Sequence, residues 1–385
     1  MEQKSVKLTL ALIRTAMGGA PLTDTERQAC SDEEIGAALR LADKHDLGQI
    51  LAWGVKRSGL VSAEGETCIF KAVYRHQQIK YEYERLCRAL EEAGIQFLPL
   101  KGSVIRKYYP EPWLRTSCDI DILVHKNELD RVEALLVDGL KYRKDIAHSH
   151  DVAYFSPTDV HVEMHFDLIE ESVMAASAGV LRDVWEMATR VPGCDFRCEM
   201  PDSLFYFYHV AHMAKHLLNG GCGIKPFIDL WILDNLDGAD REERDRLLVK
   251  GELFKFAEIA RRLSEVWFNT CEHDDLTARM EKYVLEGGVY GEQGDNRLSA
   301  QVDQGGGKIK SVLRHVFLPY DAIKYIYPVL QKHRWLTPVM QVHRWCRILL
   351  RGRLGHAAHT LARTGGVSAE RVGEVHRFLD DVGLL

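Results

Sequence analysis

Pro99-Leu100-Lys101-Gly102-Ser103 and, shortly after, Cys118-Asp119-Ile120-Asp121-Ile122-Leu123-Val124 form the stretch on which the reading of this chain turns. Asp119 and Asp121 alternate with apolar residues. A strand sends every second side chain to one face, so both carboxylates project together. Two carboxylates on one face repel unless a cation lies between them, and hard cations such as Mg²⁺ favour an oxygen cage of that kind. A solvated edge strand carrying two acids is the plain alternative. The apolar run Ile120, Ile122, Leu123 and Val124 argues against it. Further on, Val160-His161-Val162-Glu163-Met164-His165-Phe166 repeats the alternation, so Glu163 can supply a third ligand from a neighbouring strand. Upstream, a strand over residues 95–100 ends at Gly102-Ser103, which opens a helix. Free backbone N–H groups at such a turn can receive a phosphate.

A Gly-Ser turn, an Asp-x-Asp strand and an apolar-Glu-apolar strand, in that order, resemble the nucleotidyltransferase superfamily that includes polymerase beta. More narrowly, Leu100-Lys101-Gly102, Arg115 four residues before Asp119, and Val162-Glu163-Met164-His165 resemble a bacterial family of uncharacterised nucleotidyltransferases. The motifs lie within roughly residues 93–170, with weaker similarity in the flanking helical segments. The resemblance implies an α+β fold, with a small mixed sheet carrying the site between N- and C-terminal helical regions. It implies metal-dependent transfer of a nucleoside monophosphate from an NTP, with ATP the expected donor, to a hydroxyl-bearing acceptor as pyrophosphate leaves. The implied metal is Mg²⁺ or Mn²⁺. The expected acceptor is a small molecule or a peptide. A non-catalytic nucleotide-binding or protein-interaction module on the same fold is the alternative, and the presence of all three carboxylates speaks against it.

In that reading Asp119, Asp121 and Glu163 are both metal ligands and catalytic residues. Two-metal chemistry would activate the acceptor hydroxyl with one ion and hold the triphosphate with the other. Glu163 can ligate or act as general base. Asp159 is its rival but sits in a turn and is not flanked by apolar residues on both sides. Lys101, Gly102, Ser103 and Arg115 would bind nucleotide, the glycine by close backbone approach and the cations by charge. Arg115 can instead pair with Asp119. His161 and His165 share the strand face of Glu163, and there can orient an acceptor or hydrogen-bond a carboxylate. His209, His212 and His216 lie on one helical face. No acid or cysteine at matching spacing supports a zinc site there, so the stripe reads as a cleft wall, with Lys215 and Asp229 near nucleotide or acceptor. Base selectivity depends on pocket shape, which these motifs do not encode.

The chain has 385 residues and 46% apolar content, enough for a sizeable core. A net charge of −6 argues against a nucleic-acid partner. The nine cysteines are scattered and odd in number, and so read as free thiols. The N-terminus lacks a signal-peptide pattern and no apolar run is of spanning length, so a cytoplasmic location is expected. Three regions follow: 1–92 helical, 93–175 the nucleotidyltransferase core, and 176–385 helical. A capping box at Ser31 to Glu34 opens a helix that ends at His45-Asp46-Leu47, and a long helix covers 69–93. Asn127 caps the next helix, a hairpin pairs 152–155 with 160–166, and a helix over 203–218 is capped by Asp202 or Ser203. The seven glycines of 286–307 suggest a loop or lid. Residues 308–353 carry ten Lys or Arg against one acid, Asp321, and read as a cover over the fold or as a face docking an acidic acceptor or a membrane.

Overall fold

Five short strands form a mixed sheet in the order β1–β2–β5–β4–β3 in the computed structural model, which describes residues 3–269, 271–289, 296, 317–318, 320–327, 329–350 and 368–385. The strands are β1 (Phe97–Pro99), β2 (Asp119–Val124), β3 (Arg143–Ala147), β4 (Asp151–Phe155) and β5 (His161–His165). β2 and β5 run parallel, and the other neighbours are antiparallel. The register sets Asp119 opposite His161 and Asp121 opposite Glu163.

Alternation divides the two faces of the sheet. Ile120, Ile122 and Val124 pack with Val162, Met164, Leu86 and Leu90 on one side. Leu123, on the face of Asp119 and Asp121, joins a larger cluster. That cluster runs from Leu12, Leu39 and Leu51 through Phe207, Leu230 and Phe256 to Leu379. The helices follow one another along the chain. First come α1 (Gln3–Ala16), α2 (Asp24–Gln28), α3 (Asp32–Lys44), α4 (Gly48–Arg57) and α5 (Ala63–Glu92). The one-turn α6 (Gly102–Ile105) and α7 (Leu129–Ala134) lie between strands. After β5 come α8 (Ala175–Leu181), α9 (Val184–Met187), α10 (Asp202–Leu218), α11 (Lys225–Asp234), α12 (Arg241–Lys250), α13 (Phe254–Phe268) and α14 (Asp275–Gly287). Among the described residues no helix is long and apolar enough to cross a membrane.

The α+β architecture agrees with the motifs, while several local expectations change. α5 starts at Ala63, where the Ser62 side chain accepts from Gly65 N–H. Asn127 is not a cap; it lies inside a 3₁₀ turn, Lys126–Glu128, that leads into α7. α10 has Pro201 as its N-cap, because the carboxylate of Asp202 is turned to the buried Arg244, at 2.8 and 2.9 Å. β3 is a charged edge strand with few apolar residues, so it carried little signal. Residues 286 and 287 close α14; apart from 288, 289 and Asn296, the rest of the glycine-rich stretch lies outside the described residues. The described part of the basic segment forms helices Tyr320–Ile326, Val329–Lys332 and Thr337–Leu350. Leu330 is buried there, while Trp335, Val339 and Val342 are exposed.

α5 also fastens the β4–β5 hairpin. Glu82 is fully buried and accepts from Thr158 Oγ1 at 2.9 Å, Tyr142 Oη at 2.9 Å and Arg85 Nη1 at 3.4 Å. Gln78 Nε2 donates to Thr158 O at 2.6 Å. Thr158 lies in the loop between β4 and β5, so this clip holds the strand that carries Glu163. Glu82→Ala would leave buried donors unpaired and is expected to cost about 2–4 kcal/mol in urea unfolding. A loss below about 0.5 kcal/mol, ordinary for a surface change, would show that the clip does not hold the hairpin.

Candidate active site

The parallel pairing of β2 and β5 gathers Asp119, Asp121 and Glu163 into one patch. Donor atoms of Asp119, His161 and Glu163 lie within 4.8 Å of one another, as do those of Asp121, Glu163 and His165. Glu163 belongs to both groups. Carboxylate oxygens dominate, with imidazole nitrogens at the margin, and such a donor set fits Mg²⁺ or Mn²⁺. His165 Nε2 lies 2.9 Å from Asp121 Oδ1 and 3.3 Å from Glu163 Oε2. Being buried, His165 orients the two carboxylates and does not face an acceptor. His161 is half-buried, with Nδ1 3.8 Å from Glu163 Oε1.

Lys101 supplies the counter-charge. Its Nζ lies 2.8 Å from Asp121 Oδ1 and 4.0 Å from Glu163 Oε2. Its backbone has φ 44°, a region that favours glycine, and strain of this kind costs on the order of 1–3 kcal/mol. The Gly-Ser turn differs from expectation. The N–H groups of Ser103, Val104 and Ile105 already bond the carbonyls of Leu100 and Lys101, because α6 is a single turn closing on itself. Gly102 packs beside Ser117 and Arg106, whose Cβ and Nη2 would each lie 3.4 Å from a Cβ at 102.

Arg115 pairs with neither Asp119 nor Asp121. Its fork grips Asp229 on α11, Nε to Oδ1 at 2.8 Å and Nη2 to Oδ2 at 2.7 Å, and Tyr109 Oη donates to the same carboxylate at 2.6 Å. Asp229 is 1% exposed and fixes Arg115, and both residues line the cavity described next.

A cavity of about 480 Å³ opens over the carboxylates. Lys101, Arg115, Asp119 and Glu163 line it, whereas Gly102 and Ser103 do not. α10 forms one wall through Tyr208, His209, His212, Lys215 and His216, as its polar stripe predicts. His212 and His216 meet through Nε2 at 3.2 Å, His209 Nε2 reaches Pro226 O at 2.9 Å, and Lys215 pairs with Glu170 at 2.7 Å. Several contributors escaped the sequence reading. His45 and Asp46, at the α3–α4 break, line the cavity, as does His150. The signal for the first two was a polar pair interrupting two amphipathic helices. Arg106 donates to Gly102 O at 2.7 Å and Ser117 Oγ at 2.9 Å. Burial and the nearby Arg115 charge push its pKa down to about 10.

Charge is distributed unevenly across the patch. Burial, then the charge of Asp121, push the Asp119 carboxyl up to about 6. Burial would raise Asp121 as well, but Lys101 and His165 hold it well below the usual carboxylate range. Burial and Lys101 oppose the charged form of His165, and its bonds to Asp121 and Glu163 outweigh them, so its pKa rises.

A family model described as uncharacterised nucleotidyltransferase matches residues 31–269, more than half of the chain. No curated protein and no solved structure matches the chain.

Crowding alone predicts that Asp121→Asn leaves the metal-free protein as stable or more so. The contacts with Lys101 and His165 reverse that expectation and leave Asp119 carrying the repulsion. The folded pKa of Asp119 lies above its unfolded value near 3.9. Its charge penalty is therefore absent below about pH 4, grows as the pH rises to about 6, and is complete above that. In chelator at pH 7.5, Asp119→Asn is expected to add on the order of 1–2 kcal/mol, a gain that vanishes at about pH 4. Asp121→Asn is expected to destabilise at pH 7.5. Denaturant melts at both pH values check this, and equal effects of the two substitutions would contradict it.

Proposed function

The chain belongs to the uncharacterised nucleotidyltransferase family, and from that membership and the geometry above we propose that it moves a nucleoside monophosphate from an NTP to a hydroxyl-bearing acceptor, with pyrophosphate leaving. ATP is the expected donor, and the acceptor a small molecule or peptide. The observation that carries the reading is the β2–β5 register, which sets Asp121 beside Glu163 with Asp119 one pleat away.

Asp119, Asp121 and Glu163 would hold Mg²⁺ or Mn²⁺. Bound there, a divalent ion lowers the pKa of a hydroxyl and neutralises phosphate charge. The chain's own residues supply positioning and electrostatics, which suffice for most of such a transfer. Lys101 lines the cavity beside the patch and can offset the negative charge of a triphosphate. Arg115, held by Asp229, presents a guanidinium that needs no reorganisation. Glu163, its side chain 25% exposed against 4% for Asp121, is the carboxylate placed to accept the acceptor's proton. His165 keeps both carboxylates oriented. The free cysteines suit a reducing, cytoplasmic setting.

Incubation with each labelled NTP, Mg²⁺ or Mn²⁺, and a cell extract should move label into one acceptor fraction. Asp121→Asn is expected to lower that transfer by about a thousandfold or more, and Lys101→Met to weaken NTP binding about tenfold. Ser103→Ala, away from the cavity lining, should do less. Undiminished label transfer by Asp121→Asn would overturn the proposal.

A further inference from the structure

Where the α3–α4 break meets α11, the cavity holds a second set of polar groups that the transfer chemistry does not use. His45 ends α3, and Asp46 follows with φ 55°. His45 is wholly buried, and neither ring nitrogen has a hydrogen-bond partner among the described residues. It nevertheless lines the cavity. A buried polar group left unpaired costs about 1–3 kcal/mol, so a ligand that pairs with those nitrogens gains what the free protein lacks.

The groups around it are held firmly. Lys225 Nζ donates to Asp46 Oδ2, to Thr116 Oγ1 at 3.2 Å and to Thr116 O at 3.3 Å. The buried Gln49 donates through Nε2 to Thr116 Oγ1 at 3.1 Å and to Leu114 O at 2.9 Å. Lys225 and Asp46 cancel in charge, and Pro226 and Val289 add apolar surface. Burial keeps His45 neutral, its pKa lowered to about 4. A neutral imidazole offers one N–H donor and one bare nitrogen acceptor. That pairing, beside apolar surface and without net charge, matches an uncharged planar ring with a donor and an acceptor on its edge. A nucleobase is such a ring. Among the described residues, the cation at this end, Lys225, is already paired with Asp46, so a phosphate or carboxylate gains little here.

The chain itself marks the direction. Thr116, Ser117, Cys118 and Asp119 all line the cavity in succession, so one continuous wall leads from the carboxylates to Lys225 and Asp46. The flank with Glu163, His150 and Lys215 remains for the acceptor. The geometry points to the His45, Thr116 and Lys225 end of the cavity as the nucleobase subsite, with His45 hydrogen-bonding the base edge. This assignment rests on the nucleotidyl-transfer reading of the same cavity.

Equilibrium binding separates the two. Four non-hydrolysable NTP analogues with Mg²⁺ are compared with inorganic tripolyphosphate, which has the phosphates and no base. His45→Leu and, separately, Lys225→Met are each expected to weaken the preferred NTP analogue about tenfold and to narrow the differences among the four. Both should leave tripolyphosphate within about twofold. The Lys225 variant serves should His45→Leu fail to fold. NTP affinity unchanged by the variants, or NTP and tripolyphosphate weakened alike, would overturn the subsite. The transfer reading itself would fail by a different result, Mg²⁺-dependent tripolyphosphate binding unaffected by Asp121→Asn.

Discussion

Mutual repulsion among Asp119, Asp121 and Glu163 is the constraint around which this structure is arranged. Like charges at such separations disfavour one another's ionisation. They stay together because the strands beneath them are locked: Ile120, Ile122, Val162 and Met164 are fully buried on the opposite face. A shift of one residue in either strand would carry those side chains to the wrong side. Core burial thus holds a polar cluster that its own electrostatics would disperse. The repulsion is relieved selectively. Lys101 and His165 serve Asp121, and Asp119 is left with the raised pKa.

Lys101 shows how that relief is obtained. Its backbone sits at φ 44°, and the contact of Nζ with Asp121 at 2.8 Å offsets part of the strain. Leu100 N–H bonds Asp121 O at 3.0 Å, tying the strained turn to the acid-bearing strand. Arg115 illustrates the complementary case. Its charge is matched by Asp229, which also accepts from Tyr109, so it brings a guanidinium to the cavity without neutralising the carboxylates of the patch.

The helical regions do more than cover the sheet. α10 presents three histidines and Lys215, and the α3–α4 break contributes His45 and Asp46. Burial lowers the pKa of His45, His209, His212 and His216. These imidazoles are therefore neutral donors and acceptors near neutral pH, suited to reading uncharged groups. Beside the carboxylates, the cations that line the cavity are Lys101 and Arg115.

What could be read from the chain alone was what depends on a few neighbouring residues. Period-two alternation set Asp119 with Asp121 and placed Glu163 and His165 on one face, and helical spacing put His212 and His216 on a common wall. Both rules act over a few residues, so no fold is needed to apply them. The tertiary structure alone decided the partners: Arg115 meets Asp229 across 114 positions, Lys225 meets Asp46 across 179, and His45 becomes a buried ring without a hydrogen-bond partner among the described residues. Local sequence cannot encode these pairings, because each depends on which helices the apolar core brings together, and that core joins residues from Leu12 to Leu379.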